Sequence, residues 1–167
     1  MADVETMDAL LVDALQDLLD AEKAMTERLP DIADHARDEV FRAQLDDIAL
    51  QSEDQRRRLA NLLERRGAEV EGASNIWLRA VLDDAERDCD MVAAGNLLDI
   101  ALVGAIRKGK QAERVSYETA IALAHALEAS DAATLETIRD EEAVADARLA
   151  ELLPRLTQTA STEDEDD

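Results

Sequence analysis

The sequence predicts an all-α fold of four long helices and one short one, on three observations. Its apolar content is almost entirely Ala, Leu, Val and Ile, with aromatic residues at only 2%. Five Gly and two Pro leave little turn material to separate strands. Apolar residues recur every three to four positions over four long stretches, which is the spacing of one helix face.

The first stripe runs Met7, Leu11, Leu15, Leu18, Glu22, Met25, Leu29 and Ile32, and predicts a helix over residues 4–36. Pro30 lacks an N–H, so it should kink this helix or end it with a new turn. The second stripe, Phe41, Leu45, Ile48, Ser52, Gln55, Leu59 and Leu62, predicts a helix over 38–66 that Gly67 terminates. Residues 68–75 read as the longest loop. A short helix over 76–91 follows, and Gly95-Asn96 marks a turn.

The third stripe, Leu102, Ile106, Lys110, Glu113, Tyr117, Ala120, Ala124 and Leu127, lies in a helix expected over 97–128. Ser130 or Asp131 should cap the last helix, whose stripe is Leu135, Ile138, Glu142, Ala145, Leu149 and Leu152, with an end near Pro154. Residues 1–156 thus read as one bundle domain, a size that can bury a substantial core. Residues 157–167 end in Ser-Thr-Glu-Asp-Glu-Asp-Asp and read as a disordered acidic tail.

Three stripes are broken by charge. Glu22, Glu113 and Glu142 each occupy an apolar position near the middle of a long helix, where a side chain cannot reach the end of the bundle. A buried carboxylate is costly unless it is paired, hydrogen-bonded or bound to metal. Ferritin-like bundles build dinuclear sites from inward carboxylates together with Glu-x-x-His pairs. Neither histidine here, His35 or His125, has Glu three residues before it, and both read as boundary residues near helix ends. Lys110 falls on the stripe one turn before Glu113, where an ammonium would neutralise the carboxylates and oppose a dication. Tyr117, one turn beyond, reads as a core aromatic whose hydroxyl meets one of the glutamates.

The net charge of −22 argues against nucleic acid and anionic lipid as partners. No stretch is long and apolar enough to span a membrane, and no signal peptide is recognisable, so a cytoplasmic location is expected. Only three lysines stand among eighteen basic residues, a bias that suits a salt-rich cytosol and equally follows from a high-GC genome. The lone Cys89 reads as a buried or half-buried helix residue, and Trp77 as a core or dimer contact. No phosphate loop, cysteine cluster or nucleophile–histidine pairing is present.

The ordered set of motifs resembles the YciE/YciF family of ferritin-like stress proteins. It comprises Asp17-Leu18-Leu19-Asp20-Ala21-Glu22-Lys23 before Leu29-Pro30, then Gln55 and Arg58-Leu59. Residues 78–85, Ala101-Leu102-Val103, and Glu141-Glu142 with Asp146 and Leu149 complete it. The resemblance implies a ferritin-like bundle and a homodimer linked to stress. It also implies metal ligands at Glu22, Glu113, Glu142 and Asp146. The family's His-Leu-Glu-Glu-Thr on the second helix is here Ile48-Ala49-Leu50-Gln51-Ser52, and its Glu-His-Tyr-Glu on the fourth is Lys110-Gln111-Ala112-Glu113. Two readings follow. In the first, a Lys110–carboxylate network replaces the metal centre in a non-catalytic protein without cofactor. In the second, Glu22, Glu113, Glu142 and Asp146 still hold iron or manganese for oxidase, peroxide-handling or storage chemistry.

Overall fold

The computed structural model describes residues 4–72 and 74–165 and contains five helices. They are α1 (Met7–Ala33), α2 (Glu39–Arg65), α3 (Ile76–Met91), α4 (Asn96–Ala126) and α5 (Ala132–Glu165), with no strand among the described residues. Side chains of the preceding residues start three of them. Thr6 accepts from the Ala9 N–H at 3.1 Å, Asp38 from Phe41 at 2.9 Å and Asn75 from Leu78 at 2.9 Å, each satisfying a donor the helix leaves free. Gly67 ends α2 at φ 66°, and Glu128 does the same work after α4 at φ 52°, where a side chain is usually disfavoured.

Short connections make α1/α2 and α4/α5 antiparallel hairpins, and the long link between them carries α3. Asp38 at the start of α2 meets Arg155 near the end of α5, while Arg66 at the end of α2 meets Asp131 just before α5. Arg66 also reaches Asp8 at the start of α1. Thus α1 and α5 run one way and α2 and α4 the other, the arrangement of a ferritin-like bundle with one crossover. Buried Asp99 in the first turn of α4 accepts from the N–H groups of Arg37 and Asp38 at 3.0 and 2.8 Å, locking the α1–α2 turn to α4. Asp20 fixes α3 by accepting from the Asn75 N–H and from Arg79.

α1 runs through Pro30 to Ala33, within the helix expected over 4–36, because a proline forfeits one hydrogen bond while Leu29 and Ile32 on either side stay buried. One boundary does depart from the sequence expectation. α5 does not stop near Pro154 but continues to Glu165, since Leu156 and Ala160 bury against the bundle. Residues 157–165, expected as a disordered tail, are therefore helical, and Asp166 and Asp167 lie outside the described residues.

The apolar core forms two clusters. One gathers Met25, Leu29, Phe41, Leu45, Ile48, Leu102, Ile106, Ala145 and Leu149. The other gathers Leu11, Leu15, Leu18, Leu59, Leu62, Tyr117, Leu135 and Ile138. Between the two clusters each long helix turns polar side chains inward.

Candidate functional site

Those polar residues form a layer across the bundle. Glu22 comes from α1, Ser52 and Gln55 from α2, Lys110 and Glu113 from α4, and Glu142 from α5, all essentially without solvent exposure. Helix geometry explains the convergence. Each residue continues the stripe of its own helix, so the packing that buries the leucines carries the charges inward with them.

Lys110 is the centre of the layer. Its Nζ lies 2.7 Å from Glu142 Oε2 and 3.0 Å from Glu113 Oε2. The third carboxylate is served from another side: the Tyr117 hydroxyl donates to Glu22 Oε1 at 2.6 Å. Glu22 Oε2 and both carboxylate oxygens of Glu113 and of Glu142 accept no hydrogen bond, so Lys110 meets the last two as ion pairs. Three carboxylates facing one ammonium leave the layer two negative charges in excess if all are ionised.

Burial is the largest influence on Glu22, Lys110, Glu113 and Tyr117. It raises Glu22 to about 7, helped by repulsion from Glu142 and opposed by Lys110, Tyr117 and Ser52. Burial also lifts Glu113 well above the ordinary carboxylate range, although Lys110 pulls it back. For Lys110 burial favours the neutral amine, but the attraction of Glu113, Glu142 and Glu22 outweighs it and holds the ammonium above its usual value. Tyr117 is pushed well up by burial and by the same carboxylates, so its hydroxyl stays a donor.

Asp146 does not join this layer. Its carboxylate turns to Arg107 Nε at 2.8 Å and to Gln111 Nε2 at 2.5 Å. Glu141 also turns outward, where it accepts from Arg58 at 2.5 Å and from Gln55 at 3.1 Å. His125 is exposed and pairs with Glu136, and His35 is exposed against the Asp31 carbonyl. Trp77 is half-buried against the core, as is Cys89.

The set does not fit a dinuclear centre. No imidazole reaches the layer, Lys110 holds one oxygen of each of two carboxylates, and Asp146 is taken by Arg107. Among the described residues no group of three or more His, Cys, Asp or Glu is placed to hold a metal ion. Next to the layer α2 and α5 diverge around a groove of about 550 Å³, lined by Gln44, Ile48, Gln51, Glu141, Val144 and Ala145 among others. Sequence reasoning missed this groove, and it also missed the capture of Asp146 by Arg107, for which the only signal was a basic residue on the neighbouring helix.

The sequence matches the family described as "Domain of unknown function (DUF892)" over residues 6–162. Among solved structures, the Escherichia coli stress protein YciF superposes with a TM-score of 0.87 at 22% identity, covering 92% of this chain and 98% of that one. At that identity the likeness is one of fold. YcfI of Rhodopseudomonas palustris, described as a candidate structural protein, superposes with a TM-score of 0.85 at 26% identity, covering 89% of this chain and 95% of that one. No functionally curated protein matches the chain.

Proposed function

This chain belongs to the DUF892 family, and from that premise and the polar layer of its core we propose that it is a non-catalytic, stress-associated bundle protein without a metal cofactor. In this reading Lys110 supplies, from within the chain, the positive charge that a dinuclear centre would supply. The observation that carries it is the Lys110 ammonium within 3.0 Å of both Glu113 and Glu142, with all three side chains at most 1% exposed.

The physical consequence is a bundle whose central charges are satisfied without a redox centre. A protonated lysine repels a dication and occupies the carboxylate oxygens a metal would need. The protein then acts through its surface, as a homodimeric, cytoplasmic scaffold or protective component. Its net charge of −22 disfavours nucleic acid and anionic membranes, and no helix among the described residues is long and apolar enough to cross a membrane.

One observation favours a second reading. The unpartnered oxygens of Glu22, Glu113 and Glu142 are hard donors of the kind iron and manganese accept. A metal-binding protein of that sort requires Lys110 to lose its proton or swing away. Anaerobic loading with ferrous iron or manganese, desalting and elemental mass spectrometry separates the two. The proposal expects no stoichiometric metal in the parent chain. One or two metals per chain would overturn it and support the carboxylate metal site.

A further inference from the structure

The outward face of α4 differs in charge from the rest of this acidic molecule. Forty of the 167 residues are Asp or Glu, yet α4 presents no carboxylate to solvent from Leu97 to Ser116. The two acidic residues in that span, Asp99 and Glu113, are fully buried. Exposed Leu97, Lys108, Gln111 and Val115, with half-buried Ile100, Ala101, Gly104 and Ala112 between them, form a strip about 30 Å long, edged by half-buried Arg107. Leu97 is 49% exposed and Val115 62%. Along the helix the next exposed carboxylate is Glu118, about one turn beyond Val115, and Asp146 beside the strip is buried and neutralised by Arg107.

Gly104 marks the middle of this strip. Glycine inside a helix costs about 1 kcal/mol relative to alanine, so it usually answers a packing need. Gly109 has one, since a Cβ there would meet Met25 and Leu78 at 3.0 and 3.1 Å. Gly104 has none within the chain, because a Cβ there would meet nothing within 4 Å. Around it lies a shallow depression of about 590 Å³, lined by Gly104, Arg107, Lys108, Gln111, Ala112 and Val115.

We propose that this face of α4 is the surface on which a second copy of the chain docks, antiparallel, about a twofold axis at the level of residue 106. This rests on the homodimeric part of the proposed function and deepens it. Two copies each carrying −22 meet at least cost where neither presents a carboxylate. The strip is also complementary to its own reverse, as an isologous interface requires. With the axis at residue 106, apolar Leu97 faces the partner's Val115 and Ile100 faces its Ala112. Small residues face long ones, with Ala101 opposite Gln111 and Gly104 opposite Lys108. The two Lys108 ammoniums are thereby offset by about one helical turn, and each stem lies over a backbone with no side chain.

The test uses the full-length chain in analytical ultracentrifugation at fixed salt, with circular dichroism as the check on folding. Ala112→Glu places a carboxylate in the strip and should weaken dimerisation by at least about 100-fold. Val144→Glu, in the α2/α5 groove, should leave it unchanged. Register is read separately in a Cys89→Ser background. Gly104→Cys and Lys108→Cys chains should cross-link faster when mixed than either does alone, because their Cβ atoms approach only as a heterotypic pair. If the parent dimerises but Ala112→Glu is equally tight, Val144→Glu dissociates, or homotypic cross-links form as fast, the α4 assignment fails while the dimer stands. A parent that remains monomeric overturns both.

Discussion

Lys110→Met keeps the unbranched stem of the side chain and deletes its charge. Glu113 and Glu142 then lose the ammonium now 3.0 and 2.7 Å away, in a site with no access to water. To fold, the variant must leave a carboxylate unpaired or neutralise it with a proton. From an ordinary glutamate value of 4.5, neutralising one carboxylate at pH 7 costs about 3.4 kcal/mol, at about 1.36 kcal/mol per pH unit. Breaking a buried pair by removing one partner costs about 3–5 kcal/mol, which agrees. For a domain of this length, that is a fall in Tm of about 10 °C. The pH dependence separates lost charge from lost packing. In the variant the carboxylates bind protons more tightly folded than unfolded, so the penalty is smallest below about pH 4.5 and grows as pH rises. Urea unfolding of parent and variant should show a deficit near 3–5 kcal/mol at pH 7 and about 1 kcal/mol at pH 5. An unchanged midpoint at pH 7, or a deficit equal at both pH values, would refute the reasoning.

Other consequences follow from the same geometry. Glu22 is raised from 4.5 to about 7, so its contribution to stability is complete below about pH 4.5 and is lost as pH rises through 7. The parent should lose about 3 kcal/mol across that window in urea titrations, and Glu22→Gln should flatten the slope. Tyr117→Phe removes the donor to Glu22 Oε1 and should cost about 1–3 kcal/mol, measured by thermal or urea unfolding. Asp99→Ala leaves the Arg37 and Asp38 N–H groups without their acceptor. It should cost about 1.5–3 kcal/mol and raise hydrogen-exchange rates at the start of α2.

Much of this architecture was legible because helical periodicity is a strong signal and the interior charges interrupt it conspicuously. Glu22, Lys110, Glu113 and Glu142 could be placed inward from spacing alone, since each sits where a leucine would continue the stripe. The partners within the layer were less legible. The family resemblance put Asp146 among the ligands, one turn beyond Glu142, but a helix face is broad enough for Arg107 on α4 to draw that carboxylate to the layer's edge. Asp99 was invisible as a cap because the N–H groups that donate to it lie more than sixty residues away in sequence. Pro154 suggested an end that burial of Leu156 and Ala160 overrides, since one lost hydrogen bond weighs less than a continued apolar face. The groove between α2 and α5 depends on how far two helices diverge, which no local pattern records.

The central claim is that a buried lysine carries the charge at the heart of this bundle. With only three lysines in the chain, ¹⁵N-detected spectra of the lysine side chains can be assigned with Lys110→Met as the reference. The account predicts that the Lys110 Nζ resonance has the shift of an ammonium, exchanges slowly with solvent, and stays charged at about pH 10, where an ordinary lysine begins to titrate. A neutral amine at pH 7, or an ammonium already titrating at about pH 10, would contradict it.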